Sequence, residues 1–294
     1  MLKLKSLLTE APADDVAKVA KAGLAQSVSL LKKLSSDKDV VNILQKGAAD
    51  GDIKDEQIKF STANLSCTDM FPTQAEIGFG NSLDDIMTNK FKVIDLCFKS
   101  PVKLGPSGGS PVLCAKVGGK VVILDGHHRW SSCFMTNRNA KMMCEIMEVP
   151  GGEDAEGALR IMQMAIAAKA GKVLTKDFEG TDLMASETDA VENYVVDNMN
   201  EEAVEKFNKY TSGALPDAAS IAAEIGEAHK VILSMKGKFP RKIMPQADAS
   251  GAVGGQDGVN TALTRGAINW KEPFGEGVKL KEHFQKVANI KIGK

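Results

Sequence analysis

The sequence is poor in aromatic residues, has an odd handful of cysteines and contains no long apolar run, and each shortage removes a class of function. Aromatics make up 5% of the chain, too few to stack successive bases of a single-stranded nucleic acid. The five cysteines, Cys67, Cys97, Cys114, Cys133 and Cys144, form no CxxC pair. Neither a disulfide framework nor a thiolate zinc site is expected, and a reducing, cytoplasmic setting fits best. No stretch approaches the roughly eighteen uninterrupted apolar residues of a membrane helix, and the N-terminus lacks the apolar core of a secretory signal. Membrane partners and export are therefore not expected. The formal net charge of −1 supplies no bulk attraction to polyanions. The distribution is uneven, however: residues 151–210 are acidic and the last sixty are basic, so a polarised molecule is expected.

What is present is an ordinary globular composition, 43% hydrophobic and 26% charged over 294 residues, enough for one large or two modest domains. Four segments differ in texture. Residues 1–50 carry apolar residues at threes and fours and read as two helices before a Gly- and Asp-rich hinge. Residues 51–150 alternate β-rich runs (IKFSTANLSC, PVLCAKV, KVVILDG, MMCEIMEV) with short helices at 82–89 and 129–136. Gly118-Gly119 separates two of these runs and predicts a tight hairpin. Residues 151–245 return to helical periodicity, over 154–169, 187–199, 201–210 and 217–236. Residues 246–294 read as a Gly-rich connector, centred on 249–258, and a basic tail. The predicted class is α+β, a mixed-sheet core flanked by helices on both sides in sequence.

The segment VVILDGHHRW, residues 121–130, concentrates the chemistry. A buried strand runs into a glycine that permits a sharp turn, and a helix follows. The first N–H groups of such a helix are unpaired and the local dipole is positive, so phosphate or carboxylate binds there. Gly126 allows close approach to the main chain. Arg129 can clamp an anion through two N–H groups, and His127 or His128 can exchange a proton near neutral pH. Asp125 can hold a metal or orient a histidine. Read without a ligand, Asp125 is a helix N-cap, Arg129 a surface ion pair and the histidines incidental.

The strand-Asp-Gly-His-His-Arg-helix pattern resembles the second signature box of the ParB/sulfiredoxin superfamily, and MFPTQAEI at residues 70–77 resembles its first. The resemblance covers about a third of the chain. It implies a fold in which both boxes meet a nucleotide's phosphates, with a nucleoside di- or triphosphate and Mg²⁺ as cofactors. Sulfiredoxins carry Cys where this chain has His127, and partitioning proteins carry Glu-Arg-Arg after the glycine, so neither activity is expected. The Asp-Gly-His-x-Arg form is closer to the serine-kinase branch and to phage-type ParB-like proteins. Carried over, the resemblance implies phosphate binding by Gln74, Gly126, His127, His128 and Arg129, and catalysis by Glu76, Asp125 and His127, with Glu76 and Asp125 as metal candidates. Phosphoryl chemistry needs little beyond positioning, charge neutralisation and a base. The implied activity is cleavage of phosphoester or phosphoanhydride bonds (an NTPase or a DNA nuclease). Phosphoryl transfer to a small metabolite and a non-catalytic virion or DNA-associated binding protein are the alternatives. Glu76 also reads as a solvated loop charge, Gln74 as a local turn bond and Cys133 as a small buried residue.

Residues 1–10 (MLKLKSLLTE) resemble the capsid-targeting propeptide of T4-like phage internal head proteins, with Leu8-Thr9-Glu10 in place of the cleavage motif. That resemblance implies packaging in a phage head and a host partner. The Met162–Met164 region reads as core packing. Helices over 187–210 are too acidic for a DNA-reading pair. Lys236, Lys238, Arg241, Lys242 and Arg265 in the basic tail are candidates for DNA contact.

Overall fold

A computed structural model describes residues 44–47, 51–102, 110–149, 155–170, 176–235, 237–245 and 254–270. The helices expected before residue 44 and the propeptide-like segment lie outside the described residues. Five strands form one mixed sheet: β1 (Phe60–Ser66), β2 (Met70–Pro72), β3 (Val112–Val117), β4 (Lys120–Asp125) and β5 (Lys141–Glu148). Their order across the sheet is β1-β5-β3-β4-β2. The pairings alternate, β1 antiparallel to β5, β5 parallel to β3, β3 antiparallel to β4 and β4 parallel to β2.

The β3–β4 hairpin forms where Gly-Gly predicts it. Val117 pairs with Lys120, and Gly118 and Gly119 stand at φ 55° and 80°, the left-handed conformation that a two-residue primed turn requires. Both faces of the sheet are buried. Along β3, Val112 and Cys114 enter one core while Leu113 and Ala115 enter the other; along β4, Ile123 and Leu124 divide in the same way. This explains the nearly continuous apolar runs of these strands.

Helices α1 (Phe79–Met87), α2 (Val93–Phe98), α3 (His127–Thr136), α5 (Thr188–Asn198), α6 (Glu201–Tyr210) and α7 (Ala218–Ser234) contribute to one core. Helices α4 (Ala155–Ala170) and α8 (Gly255–Thr264) contribute to the other. The fold is α+β, with helices layered on both faces of the sheet. Met162 and Met164 are buried in the second core, as their spacing predicts. No helix among the described residues is long and apolar enough to cross a membrane.

One expectation fails here. The stretch 249–258 is not a connector throughout, because Gly255–Thr264 is helical. Val259, Ala262 and Leu263 recur at threes and fours and pack against α4, and that burial overrides the low helix propensity of glycine. Residues 269 and 270, the last described residues of the stretch that reads as the tail, are bonded into the fold. Asn269 N–H donates to Leu44 O at 2.9 Å, and the Trp270 indole donates to Glu56 O at 2.7 Å.

Helix α3 is the pivot of the larger core. Trp130 is fully buried, packs against Phe134 with ring centroids 5.4 Å apart, and donates its indole N–H to Cys67 O at 2.9 Å. Trp130→Phe keeps an aromatic side chain but replaces the indole by a smaller phenyl, which opens space in the core and leaves that buried carbonyl without its donor. Urea unfolding should show a loss of about 1–3 kcal/mol; an unchanged midpoint would mean that the bond contributes nothing.

Candidate functional site

Strands β2 and β4 are parallel and in register, Met70 with Val121, Phe71 with Val122 and Pro72 with Ile123. Parallel neighbours end at the same edge of a sheet, so the loops that follow them emerge side by side, as at ligand sites of α/β proteins. This juxtaposes residues 73–78 with the start of α3. The sequence segments 70–77 and 121–130, some fifty residues apart, thereby share one corner of the fold.

Gly126, at φ 101°, is the N-cap of α3, and no side chain caps the helix there. The first intrahelical donor with a backbone partner is Trp130 N–H, to Gly126 O at 3.0 Å. The N–H groups of His127, His128 and Arg129 therefore lead the helix, with the positive end of its dipole. Asp125 is not the cap. It faces Arg129 instead, with Oδ2 3.7 Å from Nη2. The Arg129 guanidinium folds back over the turn: a Cβ on Gly126 would lie 2.9 Å from Nη2, so glycine is needed here for space as well as for φ. Arg129 Nη1 also donates to Ser110 O.

The histidines do something the sequence reading did not anticipate. His127 Nε2 accepts the backbone N–H groups of Thr73 and Gln74, each at 3.2 Å. His128 Nε2 accepts Gly78 N–H at 3.1 Å. Both rings serve as acceptors that bolt the 73–78 loop to α3, a pattern that assigns the proton of each ring to Nδ1. Burial lowers the pKa of His127 to about 3, helped by the positive field of His128 and Arg241. Burial, together with Arg241, Lys176 and Arg129, lowers that of His128 to about 4. Each ring stays neutral because charging it in this environment is costly.

Gln74 is buried, and its side-chain amide donates to Glu76 O, the local turn bond that its position suggested. Its Oε1 accepts from Arg241 Nη1 at 3.3 Å. Glu76 is not simply a solvated charge, since one carboxylate oxygen accepts Arg241 N–H at 2.7 Å. Cys133 is fully buried, 3.3 Å from Cys97 Sγ, and its thiol pKa is raised by neighbouring thiols and burial, so it is packing and not a nucleophile.

Arg241, which the sequence reading placed among diffuse tail cations, stands at the site. Segment 237–241 runs beside the loop: Lys238 and Phe239 N–H both donate to Thr73 O at 2.9 Å, and Ala75 N–H donates to Phe239 O at 2.7 Å. Lys242 pairs with Asp177 at 2.6 Å. On the other flank, Ile77 N–H donates to Asp182 Oδ1 at 3.0 Å. No periodicity marks residues 237–241, so sequence pattern alone had no signal for this contact.

Glu76 and Asp125 are the carboxylates that the resemblance offers as metal candidates. Among the described residues no three His, Cys, Asp or Glu side chains are grouped to hold an ion, and each of these two carboxylates already meets a backbone N–H or a guanidinium.

The histidine geometry carries a pH dependence. The unfolded chain protonates these rings near pH 6.5, while the folded chain holds them neutral down to about 4 and about 3. The unfolded state thus binds more protons, and stability falls as pH drops below about 6.5. The slope approaches about 1.4 kcal/mol per pH unit for each ring. Urea midpoints measured from about pH 7 to 5 should decline, less steeply in His128→Gln, whose amide oxygen can still accept Gly78 N–H. Equal slopes in the two proteins would contradict this assignment.

Comparison with protein-family models, curated proteins and solved structures finds no match to this chain.

Proposed function

We propose that this chain binds the phosphate groups of a nucleotide at the start of α3 and cleaves a phosphoanhydride or phosphoester bond there. The observation that carries the reading is the uncapped helix start at Gly126 with the Arg129 guanidinium folded over it. Helix N–H groups and a planar guanidinium are the donors a phosphate takes, and the absence of a Cβ lets the anion reach the main chain. The likeness of residues 70–77 and 121–130 to the two ParB/sulfiredoxin boxes supports the same choice of ligand.

In this reading Gly126, Arg129 and the leading amides hold the phosphate. His127 and His128 are positioning residues that fix the 73–78 loop. Asp125, beside Arg129, is the carboxylate that accepts a proton from an attacking water, in line with the bond to be broken. Mg²⁺ belongs to the substrate: a magnesium ion carried on phosphates needs only one or two protein carboxylates. DNA is the less favoured substrate, because the basic segment is docked on the 73–76 loop by backbone bonds and Lys242 is paired with Asp177, so this stretch is not a free basic arm.

One observation favours a second reading, nucleotide binding without turnover. Both histidines are withdrawn from acid–base work by their backbone bonds and burial, which leaves carboxylates as the bases.

Isothermal titration with Mg²⁺-nucleotides, followed by phosphate-release assays, separates the two readings. Arg129→Ala should weaken nucleotide binding about tenfold or more, the value of a charge-assisted pair. Asp125→Asn should retain binding and lose turnover. Binding that is unaffected by Arg129→Ala would refute the site, and turnover that survives Asp125→Asn would remove the proposed base.

A further inference from the structure

The C-terminal helical half meets the corner of the phosphate site through Asp182 and through segment 237–241. Segment 237–241 leaves the end of α7 and is stitched to the 73–76 loop by main-chain bonds. Three of these join Lys238, Phe239 and Thr73 or Ala75, and in addition Arg241 N–H donates to the side-chain carboxylate of Glu76. The fit is close: a Cβ on Gly237 would collide with the backbone of Thr73 and Gln74, so the strap lies flat only because residue 237 is glycine. Gly237 does not need a left-handed φ, and its requirement is purely one of space.

The product of this stitching is the placement of the Arg241 guanidinium. It donates to Gln74 Oε1 at 3.3 Å, acts on both histidines, and is opposed by the same Asp125 carboxylate that faces Arg129. Burial works against its charge. Two guanidinium groups from distant parts of the chain thus come to one corner, Arg129 from α3 and Arg241 from the strap, the latter bonded to the side chain of Gln74, whose backbone N–H bonds His127. Two partly buried guanidinium groups at one corner complement an anion carrying more than one phosphate, because a single phosphate is already matched by Arg129 and the helix amides.

We propose that Arg241 is a specificity-determining residue that recognises the second phosphate of a diphosphate unit, delivered to the site by the 237–241 strap. This inference rests on the phosphate-binding reading above. It assigns the C-terminal half a function in selecting polyphosphates over monophosphates. The guanidinium acts by binding, and no bond is made or broken by it.

The test measures binding of orthophosphate and of pyrophosphate to the full chain by calorimetry, in wild type, Arg241→Gln, Arg241→Lys and Lys242→Gln. Any non-proline residue at 241 keeps the N–H that bonds Glu76, so the strap is expected to stay docked; thermal melts check this. Arg241→Gln should weaken pyrophosphate about tenfold or more and orthophosphate less than about twofold. Arg241→Lys, which keeps the charge and the docking but loses the planar fork, should fall between wild type and Arg241→Gln for pyrophosphate. It provides the same discrimination should Arg241→Gln melt early. Lys242→Gln, which removes a pair with the exposed Asp177, should match wild type for both ligands. Equal weakening of both ligands, or no weakening of either, in the Arg241 variants overturns the inference while leaving phosphate binding intact. Wild-type protein that binds neither ligand overturns both readings together.

Discussion

His127 Nε2 accepts two consecutive backbone N–H groups, those of Thr73 and Gln74, and the geometry of the corner depends on that acceptor. The parallel pairing of β2 with β4 brings the two loops to one edge of the sheet, but pairing ends at Pro72. Beyond it, the imidazole satisfies donors that would otherwise be buried without partners, at a cost of about 1–3 kcal/mol each. His128 repeats the device at Gly78. A protonated ring has no lone pair to offer, so burial and nearby positive charge, by keeping both rings neutral, also keep the bolts in place.

With the 73–78 loop fixed on one side by α3, its other edge is available for pairing, and segment 237–241 takes it. Asp182 holds Ile77 from a third direction. The loop is therefore a junction between the sheet domain and the helices after residue 155, and Arg241 is the charged group that the junction places. The same residues that pair with the strap, Thr73 and Gln74, also bond His127, so strap and histidine are joined through one stretch of backbone.

Much of this corner is legible in the sequence. The Gly-Gly hairpin, the run from β4 through Gly126 into α3, and helix α6 at Glu201–Tyr210 follow from local turn chemistry and periodicity. The pairing of segment 70–77 with segment 121–130 is suggested by their resemblance to two motif boxes, and the register of β2 with β4 supplies a physical route for their meeting. What the sequence conceals is long-range. β2 is three residues long, too short for a periodic signal. The strap is irregular, and α8 hides among glycines because its burial against α4 outweighs propensity. The histidines show why residue type alone misleads: adjacent His residues beside Asp-Gly suggest acid–base chemistry, yet their environment turns them into neutral backbone acceptors.

The central claim, that an anion binds on the leading amides of α3, is tested most directly by amide nitrogen–proton correlation spectra recorded during titration with pyrophosphate. The largest saturable shifts should fall on the N–H groups of His127, His128 and Arg129, with smaller ones at Thr73 and Gln74. Shifts that are absent at these amides, or larger elsewhere in the chain, would contradict it.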